Sequence, residues 1–259
     1  MADAASRWAA ELAAWAVPAH ILEAAPQTPW VFPPDMFSAP EPGSVPRSGS
    51  TAIAAAAIPD GGTVLDVGCG GGAAAFALVP PATALIGTDR QTDMVEAFAA
   101  TAERRGIPAT VVPWDWPDVA DRVPQADVAV SHNVLYNVAD LAPFAAALHD
   151  HARRRVVIEI TERHPQVTRA PLWKRFWDLD RPEGPTAWLA AEVLRDAGFD
   201  VATEQTLATQ RDMQRAGPVE AAFWCRQLCL PPDRIDEVAE AVADLAFPTE
   251  RVTLWWDVS

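Results

Sequence analysis

Apolar residues change their spacing from one segment of the chain to the next, and each change of period predicts an element. Short apolar runs at Thr63–Val67, Thr83–Thr88, Ala109–Pro113, Ala126–Ser131 and Val156–Ile160 have the length and composition of strands buried on both faces. Between them lie segments with helical spacing, such as Met94, Val95, Phe98 and Ala102, closed by Gly106. Strands separated regularly by helices predict an α/β fold with a parallel, doubly wound sheet. Farther on, Thr186 is placed to cap a helix carrying Leu189, Val193 and Leu194 and ending at Gly198. Phe199–Leu207 reads as a sixth strand and Arg251–Val258 as a seventh. Pro218–Leu245, between those two, has helical spacing with Ile235, Val238, Val242 and Leu245 on one face.

Ahead of the sheet, Arg7–Val17 puts Trp8, Leu12 and Trp15 on one helical face, and Pro18 stops the pattern. Pro26–Pro46 alternates prolines with Trp30, Phe32 and Phe37, which predicts an extended strap whose aromatics seek burial. Ser48 or Ser50 then caps a short alanine-rich helix. The organisation expected is therefore an N-terminal helical lid and strap over residues 1–47, then a sheet domain over 48–259 with a helical insertion at about 217–246. Arg104 and Arg105, before Gly106, and Arg153, Arg154 and Arg155 are read as basic residues complementing helix C-termini.

Charge narrows the partners. With 35 acidic against 20 basic residues, a formal net charge of −15 leaves no basic face for phosphate attraction and argues against nucleic acid. The apolar region WAAELAAWAVPAHILEAA is broken by Glu11 and Pro18 and lacks a basic leader, so neither a signal peptide nor a membrane span is expected. The 3 cysteines, Cys69, Cys225 and Cys229, cannot all pair and have no further ligands at zinc spacing. Buried reduced thiols, no metal site and a cytoplasmic location follow as expectations.

The chemistry concentrates at TVLDVGCGGG, residues 63–72. Glycines after a first strand let the backbone turn tightly and approach a ligand at the carboxyl ends of the strands. A carboxylate, Asp66, precedes the first glycine, and it suits a cationic ligand better than a pyrophosphate. Gly68-x-Gly70-x-x-Ala73 also satisfies the weaker dinucleotide fingerprint, so the loop alone leaves a nicotinamide oxidoreductase open.

VLDVGCGGG resembles the first motif of the class I S-adenosylmethionine-dependent methyltransferases of small-molecule type, with Asp66, Gly68, Gly70 and Gly72 at its acidic and glycine positions. The resemblance covers about Thr63 to Thr161. It implies a Rossmann-like doubly wound seven-stranded sheet, mostly parallel with the last strand antiparallel, and S-adenosylmethionine as cofactor. It assigns Asp66, Gly68, Cys69, Gly70 and Gly72 to the cofactor loop, and Asp89, with Arg90 beside it, to the ribose. In Pro113-Trp114-Asp115-Trp116 it gives Asp115 the adenine amino group and Trp116 the ring, and it brings Ser131 past the methionine end. His132 and Tyr136 follow as candidate catalytic groups, the first by its near-neutral pKa and the second by a hydroxyl able to orient an acceptor. Tyr136 departs from the histidine often found at its position. Glu159, an acid in an apolar strand, is a further candidate near the site. Methyl transfer to a small-molecule acceptor, with S-adenosylhomocysteine as product, is the function implied. The alternatives are a nicotinamide oxidoreductase and a non-catalytic S-adenosylmethionine-binding protein.

Overall fold

The computed structural model describes residues 3–30, 38–44, 49–207, 220–243, 245 and 250–259. Seven strands form one sheet: β1 Thr63–Val67, β2 Ala84–Asp89, β3 Ala109–Pro113, β4 Ala126–His132, β5 Ala152–Thr161, β6 Ala202–Leu207 and β7 Glu250–Asp257. Their order is β3-β2-β1-β4-β5-β7-β6. Pairing is parallel from β3 through β5, and β7 runs antiparallel to both β5 and β6. The described helices are α1 Ala4–Ala13, α2 Ala19–Ala24, α3 Gly49–Ala55, α4 Thr92–Arg105, α5 Leu141–His151, α6 Ala170–Trp177, α7 Ala187–Asp196, α8 Glu220–Gln227 and α9 Ile235–Val242.

Each face of the sheet has its own apolar cluster, as a doubly wound sheet requires. Leu65, Ile86, Ala129, Ile158 and Leu254 pack against α5, α7 and α1, while Val64, Leu85, Val130 and Val157 meet α3 and α4 on the other side. Gly106 ends α4 at φ +64, and Thr186 Oγ1 accepts the Leu189 N–H at the start of α7, as the spacing predicts.

Several expectations are corrected. Arg153, Arg154 and Arg155 close no helix; they lie in β5, where Arg155 Nε donates to Asp257 Oδ1 of β7 at 2.7 Å. The strand begins earlier than its apolar stretch because ladder pairing with β4 on one side and β7 on the other holds its polar start. Of the two expected caps, Ser50 lies inside α3 and Ser48 lies outside the described residues, and the sixth strand begins at Ala202 rather than Phe199. Within the span read as helical after β6, α8 and α9 are separate, broken at Cys229, whose φ is +58, and the following Pro231 and Pro232. Trp15 lies just beyond α1, yet it and Trp8 are buried as the stripe predicts. Trp30 of the strap is 48% exposed, against the expectation of burial, and Phe32 and Phe37 lie outside the described residues. All three cysteines are free and buried, as expected.

The N-terminal segment covers the carboxyl ends of β4 and β5. Trp8 stacks on Tyr136 at 5.6 Å between ring centres and donates its indole N–H to Val138 O at 2.8 Å. Trp15 stacks on His164 at 4.1 Å and donates to Gly184 O. Beyond them Val17, Ile21, Leu172, Trp173, Trp224, Leu228 and Val238 make a third apolar cluster, which joins α2, α6, α8 and α9 into a helical cap. No helix among the described residues is long and apolar enough to cross a membrane.

Candidate functional site

Strand order reverses between β1 and β4, which creates a crevice at their carboxyl ends where ligands of open α/β sheets bind. The glycine loop rises from β1 into that crevice. Gly68 has φ +73, and a Cβ there would meet Val134 Cγ2 at 2.3 Å, so only glycine lets the loop pack on the segment after β4. Gly72, at φ +93, lies equally close to Phe76. The amides of Gly68 and Cys69 both donate to Thr88 O, and Ser131 Oγ donates to Val67 O at 2.9 Å. These bonds tie the ends of β1, β2 and β4 into a rigid floor.

Asp66 is buried at the base of this floor. Its Oδ2 accepts the Ala75 N–H at 3.1 Å, while Oδ1 is buried with no hydrogen-bond partner. Burial drives its pKa up to about 7, the Ala75 N–H opposes that rise and the Asp89 carboxylate adds to it. A buried carboxylate oxygen with one face unsatisfied fits a ligand that brings a positive charge.

The other expected cofactor residues are distributed as follows. Asp89 accepts the Gly70 N–H on Oδ2 at 3.0 Å and the Gln91 N–H on Oδ1 at 2.9 Å, so the carboxylate shapes the loop and keeps a lone pair on each oxygen for a hydroxyl. Cys69 is buried, with its thiol over Gly87 and its pKa raised chiefly by burial. Arg90 and Asp115 are exposed at the ends of β2 and β3. Trp116 turns into the protein, donating to Phe144 O at 3.3 Å and meeting His151 edge-on. Its neighbour Trp114 is 63% exposed, and its backbone N–H donates to Asp89 O, which leaves an exposed indole beside Asp89.

The two catalytic candidates part company. Tyr136 is buried in the main apolar cluster and donates its hydroxyl to Thr161 O at 2.8 Å; burial, with the Glu162 carboxylate, pushes its pKa upward. The phenol is turned into the protein, with its hydroxyl engaged by a backbone carbonyl. His132 ends β4 on the Asp66 face of the sheet, with Nε2 buried and unpartnered. Burial lowers its pKa, the Glu159 carboxylate opposes that shift and Arg251 reinforces it. Glu159 lies opposite His132 in the β4–β5 register and accepts the Ser50 hydroxyl at 2.6 Å. The lone acid among Val156, Val157, Ile158 and Ile160 is legible in sequence; Ser50 and the exposed Trp114 carry no comparable signal.

Residues 65–158 match the family model described as a methyltransferase domain. No curated protein matches the sequence. Among solved structures, the chain is similar to the magnesium protoporphyrin IX methyltransferase of Synechocystis with bound S-adenosylhomocysteine, at 16% identity and TM-score 0.51 over 80% of this chain and 78% of that one. It is similar at 19% identity and TM-score 0.56 to a structure concerned with conversion of a disulfide bond into a thioacetal group in echinomycin biosynthesis, over 90% of this chain and 88% of that one. The [4+2]-cyclase SpnF is similar at 16% identity and TM-score 0.53, over 80% and 78%. At such identities the likeness is one of fold, and the cyclase shows that the fold hosts more than one chemistry. The glycine loop with its acid, the sheet with its antiparallel β7 and the match at residues 65–158 together give the chain a methyltransferase domain on the fold of the class I S-adenosylmethionine-dependent methyltransferases.

Proposed function

We propose that the protein transfers the methyl group of S-adenosylmethionine to a small-molecule acceptor held between the β1/β4 crevice and the helical cap. The observation that carries this reading is the unsatisfied Oδ1 of Asp66 at the switch point, suited to the ammonium group of the cofactor. S-adenosylmethionine supplies a methyl carbon made electrophilic by its sulfonium. Asp66 and the loop of Gly68, Gly70 and Gly72 hold the amino-acid end, Asp89 the ribose, and Asp115 with Trp114 the adenine. His132, at the end of β4, faces the acceptor side and takes its proton where the acceptor is protonated. Alignment of acceptor and methyl carbon by the crevice and cap supplies much of the acceleration.

A nicotinamide enzyme is disfavoured by the sheet. The dinucleotide fold runs 3-2-1-4-5-6 with parallel strands, whereas here the antiparallel β7 lies between β5 and β6. A small acceptor is supported by the net charge of −15, which disfavours a polyanionic polymer. Three unpaired thiols fit a reducing, cytoplasmic compartment. The lid role of the N-terminal segment belongs to the same proposal, with α1 and the cap excluding water from the reacting groups.

Transfer of methyl label from S-adenosylmethionine tests it. Incubated with a cell extract separated by mass, the protein should place label in the low-mass fraction. Label that accumulates in RNA or protein instead would contradict a small acceptor.

A further inference from the structure

We propose that Glu159, anchored by Ser50, is a positioning residue for His132, and that the three form a chain across β4, β5 and α3 that orients the imidazole and stabilises its protonated form during methyl transfer. This rests on the reading of His132 as the acceptor-side base. Three geometric facts carry it. His132 and Glu159 are direct partners in the parallel register, so their side chains leave the sheet on the same face at adjacent strand ends. The Ser50 hydroxyl, brought over that face by α3, donates to Glu159 Oε2 at 2.6 Å and fixes the carboxylate from the far side. The imidazole Nε2 remains buried with no partner, as does Thr253 Oγ1, which pairs with Glu159 through the β5–β7 register.

A purely structural role does not account for this set. A histidine placed for packing satisfies its buried ring nitrogens, and a carboxylate fixed by a single hydroxyl keeps acceptor capacity for a cation beside it. Arg251 reaches the same face from β7, where it donates to Asn133 Oδ1 at 3.4 Å and makes no ion pair with Glu159. The charged groups acting on His132 are thus Glu159 from β5, which favours the imidazolium, and Arg251 from β7, which opposes it; α3 contributes only the neutral Ser50. The arrangement has the logic of a base oriented by a partly buried acid. In the step served, the acceptor's proton moves to Nε2 and its freed electron pair makes the bond to the methyl carbon. The pair of the broken carbon–sulfur bond stays on sulfur, and the imidazolium later releases its proton to water.

The test is an imidazole NMR titration of the full chain without cofactor or acceptor, with His132 assigned by the signal lost in His132→Asn. In Glu159→Gln the His132 midpoint should move to lower pH while the other histidines hold theirs. In Glu159→Asp, which keeps the charge on a shorter arm, it should lie between wild type and Glu159→Gln. An unmoved His132 midpoint in folded Glu159→Gln overturns the proposal. If that variant does not fold, a midpoint in Glu159→Asp equal to wild type does so. With an acceptor in hand, Glu159→Gln should lower kcat by about tenfold or more and leave KM nearly unchanged. Because the titration needs no S-adenosylmethionine, a moved midpoint in a protein that fails to bind it would sink the proposed function and leave the Ser50–Glu159–His132 chain standing.

Discussion

Asp66→Asn is expected to weaken S-adenosylmethionine binding by about ten- to a hundredfold at pH 8, the loss of one charge-assisted contact worth roughly 1.5–3 kcal/mol. The same variant should abolish a pH dependence present in the wild type. In the free protein the Asp66 pKa stands at about 7 against an ordinary 3.8, mainly because burial disfavours the anion. A folded pKa above the unfolded one means that the stabilising contribution is complete below about pH 3.8 and is lost as pH rises through about 7. Binding of a cation reverses the preference, since it needs the ionised carboxylate. Affinity should therefore increase as pH rises through about 7, with proton release detectable in buffers of different ionisation enthalpy. Without ligand, Asp66→Asn should melt higher than wild type above pH 7, because it removes a buried anion and leaves the shape of the loop. A wild-type affinity flat from pH 6 to 8 would show that Asp66 does not meet the ligand's charge.

Trp8→Ala should be the most destabilising single substitution in the N-terminal segment. Its side chain is fully buried in the cluster that contains Leu135, Leu141 and Phe144, stacks on Tyr136 and donates to Val138 O. Truncation of a buried tryptophan costs about 3–5 kcal/mol, which for a chain of this size lowers the melting temperature by roughly 10 °C. The spacing of the sequence predicts a lid over residues 1–47 set apart from the sheet domain. Burial of Trp8 in the main cluster makes α1 part of the fold as well as part of the cover. A melting temperature within 2 °C of wild type, by circular dichroism at ~0.2 mg/mL, would return it to the role of a detachable lid.

The sheet was legible because its strands are short apolar runs with helical spacing between them, and β1 and β3 have the bounds their residues predict. The start of β5 was not, since Arg153–Arg155 carry no apolar signal and are held by pairing partners distant in sequence. The tight turn after β1 was readable residue by residue, because Gly68, Gly70 and Gly72 all take the positive φ that glycine favours. Orientation was harder to read. Trp114 and Trp116 are indistinguishable in sequence, and only the turn after β3 decides that the first faces out and the second in. Tyr136 and His132 likewise lie on one short segment, but the 3₁₀ turn at Leu135–Asn137 carries the phenol into the apolar cluster. The Ser50–Glu159 contact joins residues far apart in the chain through α3, which no local pattern encodes.

The central claim is that the crevice between β1 and β4 binds S-adenosylmethionine. Titration calorimetry on the wild-type protein at pH 8 tests it most directly, with S-adenosylmethionine, S-adenosylhomocysteine, NAD and NADP measured side by side. The account predicts saturable 1:1 binding of the first two and no measurable heat from either dinucleotide. Saturable binding of NAD or NADP, with none of S-adenosylmethionine, would contradict it.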